Sequence, residues 1–150
     1  VTLDFGCVYN GYPSDMTRTV VVGKASAEQK KVYRAVRDAQ QRALDAVRPG
    51  VRCRDIDAVA RRAIEEAGYG KFFNHGLGHG LGLWDRLREV HSRPAISPQS
   101  ADRAAAGMVF TIEPGIYIER FGGVRIEDDV LVTGDGCRIL NRSPKKLIEL

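Results

Sequence analysis

The sequence of 150 residues has no long apolar run and few cysteines. No stretch approaches the roughly 18–20 apolar residues that a bilayer-spanning helix needs, so no membrane partner is expected. The three cysteines, Cys7, Cys53 and Cys137, are odd in number and form no CxxC motif. This pattern argues against a disulfide framework and against a cysteine metal site. Reduced thiols are typical of the cytoplasm, and we predict a cytoplasmic location.

Basic residues interleaved with aromatic ones, a pattern typical of nucleic-acid-binding surfaces, are also absent. The formal net charge is +4, but the basic residues are scattered along the chain, so no nucleic acid partner is expected. The sequence contains no repeat of short fixed period and no low-complexity tract. With 43% hydrophobic and 28% charged residues, it has the composition of one globular domain with its own core.

Turn signals predict two strands near the start of the chain. Residues 2–21 contain two apolar, β-branched runs that flank Asn10 and Gly11, a favoured hairpin turn. Pro13 favours a longer, irregular connection instead. The sequence begins at Val1, inside the first predicted strand, where domains seldom begin. We therefore expect the sequence to be a fragment of a longer chain or a processed product.

Capping and spacing signals then predict two helices, over residues 26–47 and 54–67. Ser26 and Gln29 have the spacing of a capping box, and Gly68 supplies a C-terminal cap to the second helix. Apolar residues recur at helical spacing in both segments, and their opposite faces are charged. We interpret both helices as scaffold.

The remaining segments are predicted as one extended stretch, one loop and three strands. The glycine-rich stretch covers 71–83, the polar loop with short elements covers 85–106, and the strands cover 108–113, 123–132 and 137–140. A turn over residues 119–123 joins the first two of these strands. The chain therefore carries two predicted hairpins, which suggests a duplicated plan.

Acidic residues inside apolar runs are the sequence's most informative feature. They occur in TLDFG, YPSDMTRT, FTIEPGIY and GVRIEDDVLV, and with one histidine they form the ordered set Asp4, Asp15, His79, Glu113 and Glu127. A charge buried in a strand costs several kcal/mol unless it is neutralised. Each predicted hairpin brings two of these carboxylates together: Asp4 near Asp15, and Glu113 opposite Glu127.

Four carboxylates balance the charge of two divalent cations, and an imidazole completes the ligand set. Oxygen-rich ligation with one imidazole suits manganese, cobalt, iron or zinc. Two metals about 3.5–4 Å apart polarise a carbonyl and activate water together. The sequence therefore predicts a two-metal hydrolytic site.

The segment HGLGHGLGL places His75 and His79 four residues apart, as in helical zinc motifs. Alternate glycines within it make a helix unfavourable. We predict extended backbone, in which glycine allows substrate or metal to approach closely. Beside the four acidic residues, both histidines are candidates for the site.

Four segments together resemble the pita-bread metallopeptidases, a family that includes methionine aminopeptidase, aminopeptidase P and Xaa-Pro dipeptidase. They are DFGCVYNGYPSDMTRT, HGLGHGLGL, GMVFTIEPGIYI and GGVRIEDDVLVT. The resemblance implies an α/β (α+β) fold of the pita-bread type, with a curved, mainly antiparallel sheet backed by helices and the metals on its concave face. SDMTRT and GGVRIEDDVLVT resemble the Xaa-Pro branch in particular.

The resemblance implies a role for each candidate ligand. Asp4 would hold one metal, and His79 with Glu113 the other, while Asp15 and Glu127 bridge both. The metals would be manganese or cobalt, with zinc or iron as alternatives. A hydroxide that bridges them would attack the scissile carbonyl, and Glu113 would also carry its proton towards the leaving amine.

Three further residues match substrate-binding positions of the family. His75 and His91 would bind substrate and stabilise the tetrahedral oxyanion. Arg125 would lie beside the metals and bind substrate, or form a salt bridge to a ligand carboxylate. Tyr117 would line the pocket or, as the simpler interpretation, belong to the core.

The sequence departs from the family pattern in two places. Residues 84–88 interrupt the usual run before His91, and Ser92 follows where the family has an acid. The family's catalytic domain also has a further N-terminal part before the first ligand. Residues 1–150 are therefore predicted to be the C-terminal portion of the catalytic domain.

The predicted function is hydrolysis of Xaa-Pro bonds in small peptides, by a dipeptidase or an aminopeptidase. Alternatives are methionine aminopeptidase-like specificity, a creatinase-like member without metals, a non-catalytic binding protein and an inactive fragment. Because relatives are often dimers, a homodimer is a further expectation.

Overall fold

The computed structural model describes residues 1–82 and 92–150. In these residues the strands are β1 (Thr2–Phe5), β2 (Val8–Tyr9), β3 (Tyr12–Pro13), β4 (Met16–Val21), β5 (Gly78–Gly80), β6 (Ser92–Ile96), β7 (Val109–Ile112), β8 (Gly115–Ile118), β9 (Gly122–Arg125), β10 (Asp128–Val132), β11 (Cys137–Ile139) and β12 (Ile148–Glu149). The helices are α1 (Ala27–Ala46), α2 (Cys53–Glu66) and a short 3-10 turn (Gly70–Phe72).

Residues 2–21 form an antiparallel hairpin, here named the first hairpin. Strand β1 pairs with β4, and β2 pairs with β3 near the tip. Asn10 and Gly11 have φ angles of +50° and +82°, the left-handed values of a two-residue turn. The longer connection expected from Pro13 is wrong, because this proline lies at the end of a two-residue strand that pairs on one side.

The capping signals of the two helices are confirmed. The Ser26 hydroxyl accepts from the Gln29 N–H at 3.1 Å, while the Gln29 side chain accepts from the Ser26 N–H at 2.8 Å. Gly68, with φ +87°, follows α2 as predicted. Within the described ranges, neither helix combines the length and the apolar character that crossing a membrane would require.

Residues 109–132 form the second hairpin. Strands β7 and β10 pair at its base, and β8 and β9 pair near its tip. Ile112 pairs with Asp128 and Gly115 with Arg125, so continuing the register aligns Glu113 with Glu127 between them. The predicted alignment of these two glutamates is therefore confirmed.

The base of the second hairpin belongs to a five-stranded sheet with the order β11, β10, β7, β5, β6. Strand β5 confirms extended backbone at Gly78–Gly80, within the glycine-rich stretch. A Cβ on Gly78 would lie 2.0 Å from the Thr111 carbonyl oxygen, so only glycine fits there. The polar segment 85–106 contains strand β6, which pairs with β5. Its residues 85–91 lie outside the described part of the chain.

The core lies between the two helices and the strands. Its apolar side chains come from both helices and from the second hairpin, and include Val36, Ile56, Ile64, Phe110 and Ile126, each fully buried. Helix α1 packs against β7, β8 and β9, and α2 packs against β6. All strand pairs are antiparallel among the described residues except that of β12 with β4. The mixed, mainly antiparallel architecture expected from the sequence is confirmed.

Candidate metal centre

Four of the five predicted ligands lie together, contributed by both hairpins and by β5. The His79 Nε2 atom is 3.6 Å from an Asp15 oxygen and 3.5 Å from a Glu113 oxygen. Asp15, His79 and Glu127 each offer a ligand atom within 4.8 Å of the other two. The residues are far apart in sequence, so their convergence is a product of the fold.

Burial distinguishes these carboxylates from surface acids. The Glu127 residue is only 2% exposed, and the Glu113 side chain 15%. Burial, together with the neighbouring charge of Glu113, raises the pKa of Glu127 to about 8. Burial also raises the pKa values of Glu113 and Asp15. Cations between these side chains would offset both the desolvation and the mutual repulsion.

Asp4 differs from the other candidates. Its side chain is 51% exposed and forms an ion pair with Arg125. The expectation that Asp4 is buried does not hold among the described residues, where β1 is an edge strand with exposed residues. Its charge nevertheless raises the pKa values of Asp15 and Glu127, so Asp4 lies at the margin of the cluster.

Two threonines hold the glutamates of the second hairpin in place. The Thr111 hydroxyl donates to Glu113 at 2.9 Å and accepts from the backbone N–H of His79 at 3.0 Å. The Thr17 hydroxyl donates to Glu127. Sequence reasoning missed both threonines, although each lies within two residues of a predicted ligand.

Asp129 is a second feature that sequence reasoning missed. One of its oxygens accepts from the Asp15 backbone N–H at 3.1 Å. Its other oxygen is buried and has no hydrogen-bond partner among the described residues. Burial raises its pKa to about 6. The run Glu127-Asp128-Asp129 inside an apolar strand was the available signal.

Arg125 and Tyr117 link the cluster to His75. Arg125 donates to the Tyr117 hydroxyl at 3.0 Å and to the Thr17 hydroxyl at 3.1 Å. The ion pair of Arg125 with Asp4 is the salt-bridge alternative considered from the sequence. Tyr117 is only partly buried and joins two site residues, so its interpretation as a core residue is wrong.

His75 lies on the far side of Tyr117. Its Nε2 atom is 3.0 Å from the Tyr117 hydroxyl, and its Nδ1 atom is 2.7 Å from the Gly76 carbonyl oxygen. Burial lowers the pKa of this imidazole, which favours its neutral form near pH 7. His91 and the insertion of residues 84–88 lie outside the described residues.

The donor set fits divalent cations. Carboxylate oxygens with one imidazole are the ligands that manganese, cobalt, iron and zinc share in proteins. Asp129 adds a buried carboxylate oxygen that has no hydrogen-bond partner among the described residues, while its other oxygen accepts from the Asp15 backbone N–H. The residues best placed to hold a metal are Asp15, His79, Glu113 and Glu127.

Comparisons with known proteins agree with this chemistry. The model of metallopeptidase family M24 matches residues 1–134 of the chain. The chain is 46% identical over 148 residues to the Xaa-Pro dipeptidase of Pyrococcus horikoshii. The aligned region covers 99% of the chain and 41% of that protein.

Solved structures resemble the chain as well. Prolidase from Pyrococcus furiosus superposes with a TM-score of 0.91 at 47% identity, over 96% of the chain and 41% of that structure. An X-Pro aminopeptidase from Thermotoga maritima gives 0.93 at 45% identity, over 99% and 41%. The expected pita-bread fold is confirmed by these neighbours.

The chain spans about 41% of the length of these relatives. The match nevertheless extends over both hairpins, both helices and the glycine-rich stretch. From the match to residues 1–134 and these identities, we conclude that the chain belongs to metallopeptidase family M24.

Proposed function

We propose that the protein containing this chain is a dinuclear metal-dependent peptidase that hydrolyses Xaa-Pro bonds of small peptides. The observation that carries the proposal is the convergence of Asp15, His79, Glu113 and Glu127 from four separate strands or their ends. The named relatives are a dipeptidase, a prolidase and an aminopeptidase of Xaa-Pro type. Residues 1–150 would be the C-terminal portion of its catalytic domain.

The proposed ligands divide between two cations. Asp15 and Glu127 would contact both, His79 and Glu113 would hold one, and Asp4 the other. For Asp4 this requires its carboxylate to exchange Arg125 for a cation. Manganese or cobalt is our first proposal for the metals, with zinc or iron as alternatives. When bound, such a pair supplies Lewis-acid polarisation of a carbonyl and water activation near neutral pH.

Glu113 is proposed as the group that moves the proton. Its carboxylate accepts from Thr111 at 2.9 Å, which holds one oxygen and leaves the other 4.0 Å from Arg125. Burial raises its pKa, which brings the group closer to neutral pH, where proton exchange is efficient. Glu113 would accept a proton from the attacking water and deliver it to the leaving amine.

His75, His91 and Arg125 are proposed to bind the substrate. The Nε2 atom of His75 would accept a hydrogen bond from a peptide N–H of the substrate in exchange for the Tyr117 hydroxyl, to which it is bonded at 3.0 Å. Arg125 brings a positive charge near the cluster, which would stabilise a developing oxyanion or a substrate carboxylate. The substrate-binding role of His91 is proposed from sequence similarity alone.

The test uses the protein at its full natural length, treated with a chelator and then supplied with manganese or cobalt. We expect cleavage of Ala-Pro dipeptide or of an Ala-Pro-initiated tripeptide, about two metals per chain by elemental analysis, and loss of turnover on chelation. Unchanged turnover after exhaustive chelation would contradict the proposal. Faster cleavage of Met-Ala peptides would favour methionine aminopeptidase-like specificity.

Residues 1–150 alone are a second case, because the chain spans about 41% of its relatives' length. Two bound metals without turnover would identify this portion as an inactive fragment of an active protein. A full-length protein with neither metal nor turnover would favour a binding protein on the same fold. A homodimer and a cytoplasmic location stay predictions, and light scattering of the full-length protein tests the first.

A further inference from the structure

Helix α2 holds the backbone that leads to His75 and on to β5. Arg61 donates to the carbonyl oxygens of Phe73 at 3.0 Å and of His75 at 2.9 Å. Asp57 accepts from the backbone N–H of Leu77 at 3.0 Å. Every second residue of the segment 73–77 is therefore bonded to one of two side chains on the same helix.

Asp57 and Arg61 also bind each other. They lie one helical turn apart, and their two N···O distances are both 3.0 Å, the arrangement of a two-pronged ion pair. The Asp57 side chain is 1% exposed and that of Arg61 28%. Because a buried aspartate holds the guanidinium from behind, Arg61 has little freedom to turn away from the segment.

A second contact leads from Arg61 to His75 through an aromatic ring. The guanidinium carbon lies 4.3 Å from the centroid of the Phe73 ring. That ring packs edge-on against the imidazole of His75, with 5.1 Å between centroids. Arg61 therefore reaches His75 both through its backbone carbonyl and through the side chain that it packs against.

The position of the segment explains why such support matters at His75. Gly76 follows His75 and adds backbone freedom, so local sequence alone does not fix the imidazole. His79 has separate support, because it pairs with Ala95 in the sheet and donates to the Thr111 hydroxyl. Loss of the Arg61 contacts should therefore disturb His75 while leaving His79 in place.

The hydrogen bonds of His75 determine which ring nitrogen carries the proton, and this tautomer can be measured. The Nδ1 atom faces the Gly76 carbonyl, which can only accept, so Nδ1 carries the proton of the neutral ring. The Nε2 atom then accepts from the Tyr117 hydroxyl. A ring that turned away would lose this preference for the Nδ1–H tautomer.

We propose that Arg61, held by Asp57, is a positioning residue that fixes the orientation and tautomer of His75 for substrate binding. The inference rests on the substrate-binding role of His75 given under Proposed function. Arg61 itself contacts no proposed metal ligand in the described residues.

The experiment compares Arg61→Lys with Arg62→Lys in the full-length protein. Lysine keeps the charge, but its three N–H donors on one atom cannot replace the four hydrogen bonds that the planar guanidinium makes. Arg62 is an exposed neighbour on the same helix. We expect Arg61→Lys to lower kcat/KM by about 10–100-fold, the scale of a misplaced binding group. Bound manganese per chain should stay unchanged, and Arg62→Lys should behave as wild type.

The readout independent of activity is nitrogen-15 NMR of histidine-labelled, metal-free protein, with the His75 signals identified from His75→Gln. We expect the Nδ1–H tautomer in wild type and in Arg62→Lys, and a mixture of tautomers in Arg61→Lys. A wild-type tautomer together with kcat/KM within twofold of wild type in Arg61→Lys would overturn the proposal.

Phe73→Leu provides a second variant if Arg61→Lys does not fold. It removes the ring between the guanidinium and the imidazole and keeps an apolar side chain, so we expect a loss of about 3–10-fold with the same NMR change. Unchanged tautomer and rate in this variant would overturn the proposal. Failure of the proposed function is separate: wild-type protein would then lack turnover, while the NMR comparison would still decide the role of Arg61.

Discussion

The two hairpins each present two acidic residues to the candidate metal centre, but they differ in burial. In the first hairpin the Asp4 side chain is 51% exposed and β1 lies at a sheet edge. In the second hairpin Glu127 is almost fully buried, and its register with Glu113 is fixed by paired strands on both sides. Most of the free-energy cost of burying negative charge at the site therefore falls on the second hairpin. The first hairpin keeps Asp4 exposed to solvent.

The same difference appears in how the carboxylates are neutralised. Asp4 forms an ion pair with Arg125, a cation of the protein itself. Glu127 accepts a hydrogen bond from the neutral hydroxyl of Thr17, and burial raises the pKa of Glu127 to about 8. A pair of bound cations would thus stabilise the second hairpin more than the first. The predictions below test this comparison.

The largest expected effect is on turnover. We expect Glu113→Gln to lower kcat by about 10³-fold or more. The amide cannot take up and release a proton near neutral pH, and it has no negative charge to balance that of a cation. Initial rates on a Xaa-Pro peptide at saturating manganese measure it. Glu119→Gln, an exposed position of the same hairpin, is the matched control. Wild-type rates for Glu113→Gln would remove this residue from the mechanism.

The next effect is stabilisation by metal. Manganese added to chelated protein at a concentration 100 times its Kd should raise the free energy of unfolding by about 2.7 kcal/mol per independent site. The midpoint of thermal unfolding should therefore rise by several degrees, as followed by calorimetry. Magnesium at the same concentration is the control for ionic strength. An unfolding midpoint that manganese does not move would speak against a metal centre between the hairpins.

Much of this architecture could be predicted from local sequence signals. Asn10 and Gly11 define the turn of the first hairpin, and the Ser26–Gln29 capping box marks the start of α1. The alignment of Glu113 with Glu127 follows from a turn centred near Arg120. Each of these signals acts over a few residues, which is why the sequence alone reveals it.

The features that sequence reasoning missed depend on contacts between distant residues. Apolar neighbours around Asp4 indicate a strand, but they do not tell a central strand from an edge strand. Asp129 bonds Asp15 across 114 positions, and Thr17 bonds Glu127 across 110. The support of residues 73–77 by α2 is likewise absent from any local pattern. Such partners are defined only once the strands are assembled.

A pair of neutralising substitutions compares the two hairpins directly. In chelated protein at pH 8, Glu127→Gln should raise the free energy of unfolding by about 1–3 kcal/mol, because it removes a buried negative charge beside Glu113. Asp4→Asn should lower it by no more than about 1 kcal/mol, the scale of an exposed ion pair. Denaturant titration with fluorescence detection measures both. Equal effects would mean that burial does not separate the hairpins.

The smallest expected effect concerns the two turns. Arg120 adopts a φ of +62° in the second hairpin, a left-handed conformation that costs a residue with a Cβ about 1–2 kcal/mol. Arg120→Gly should remove that strain, but glycine also adds freedom to the unfolded chain, so we expect a net stabilisation of about 0.5 kcal/mol. Asn10→Gly in the first hairpin should change stability less, because asparagine tolerates a φ of +50° well. Urea titration at constant pH measures the difference, and a larger gain at Asn10 would show that the first turn, not the second, carries the strain.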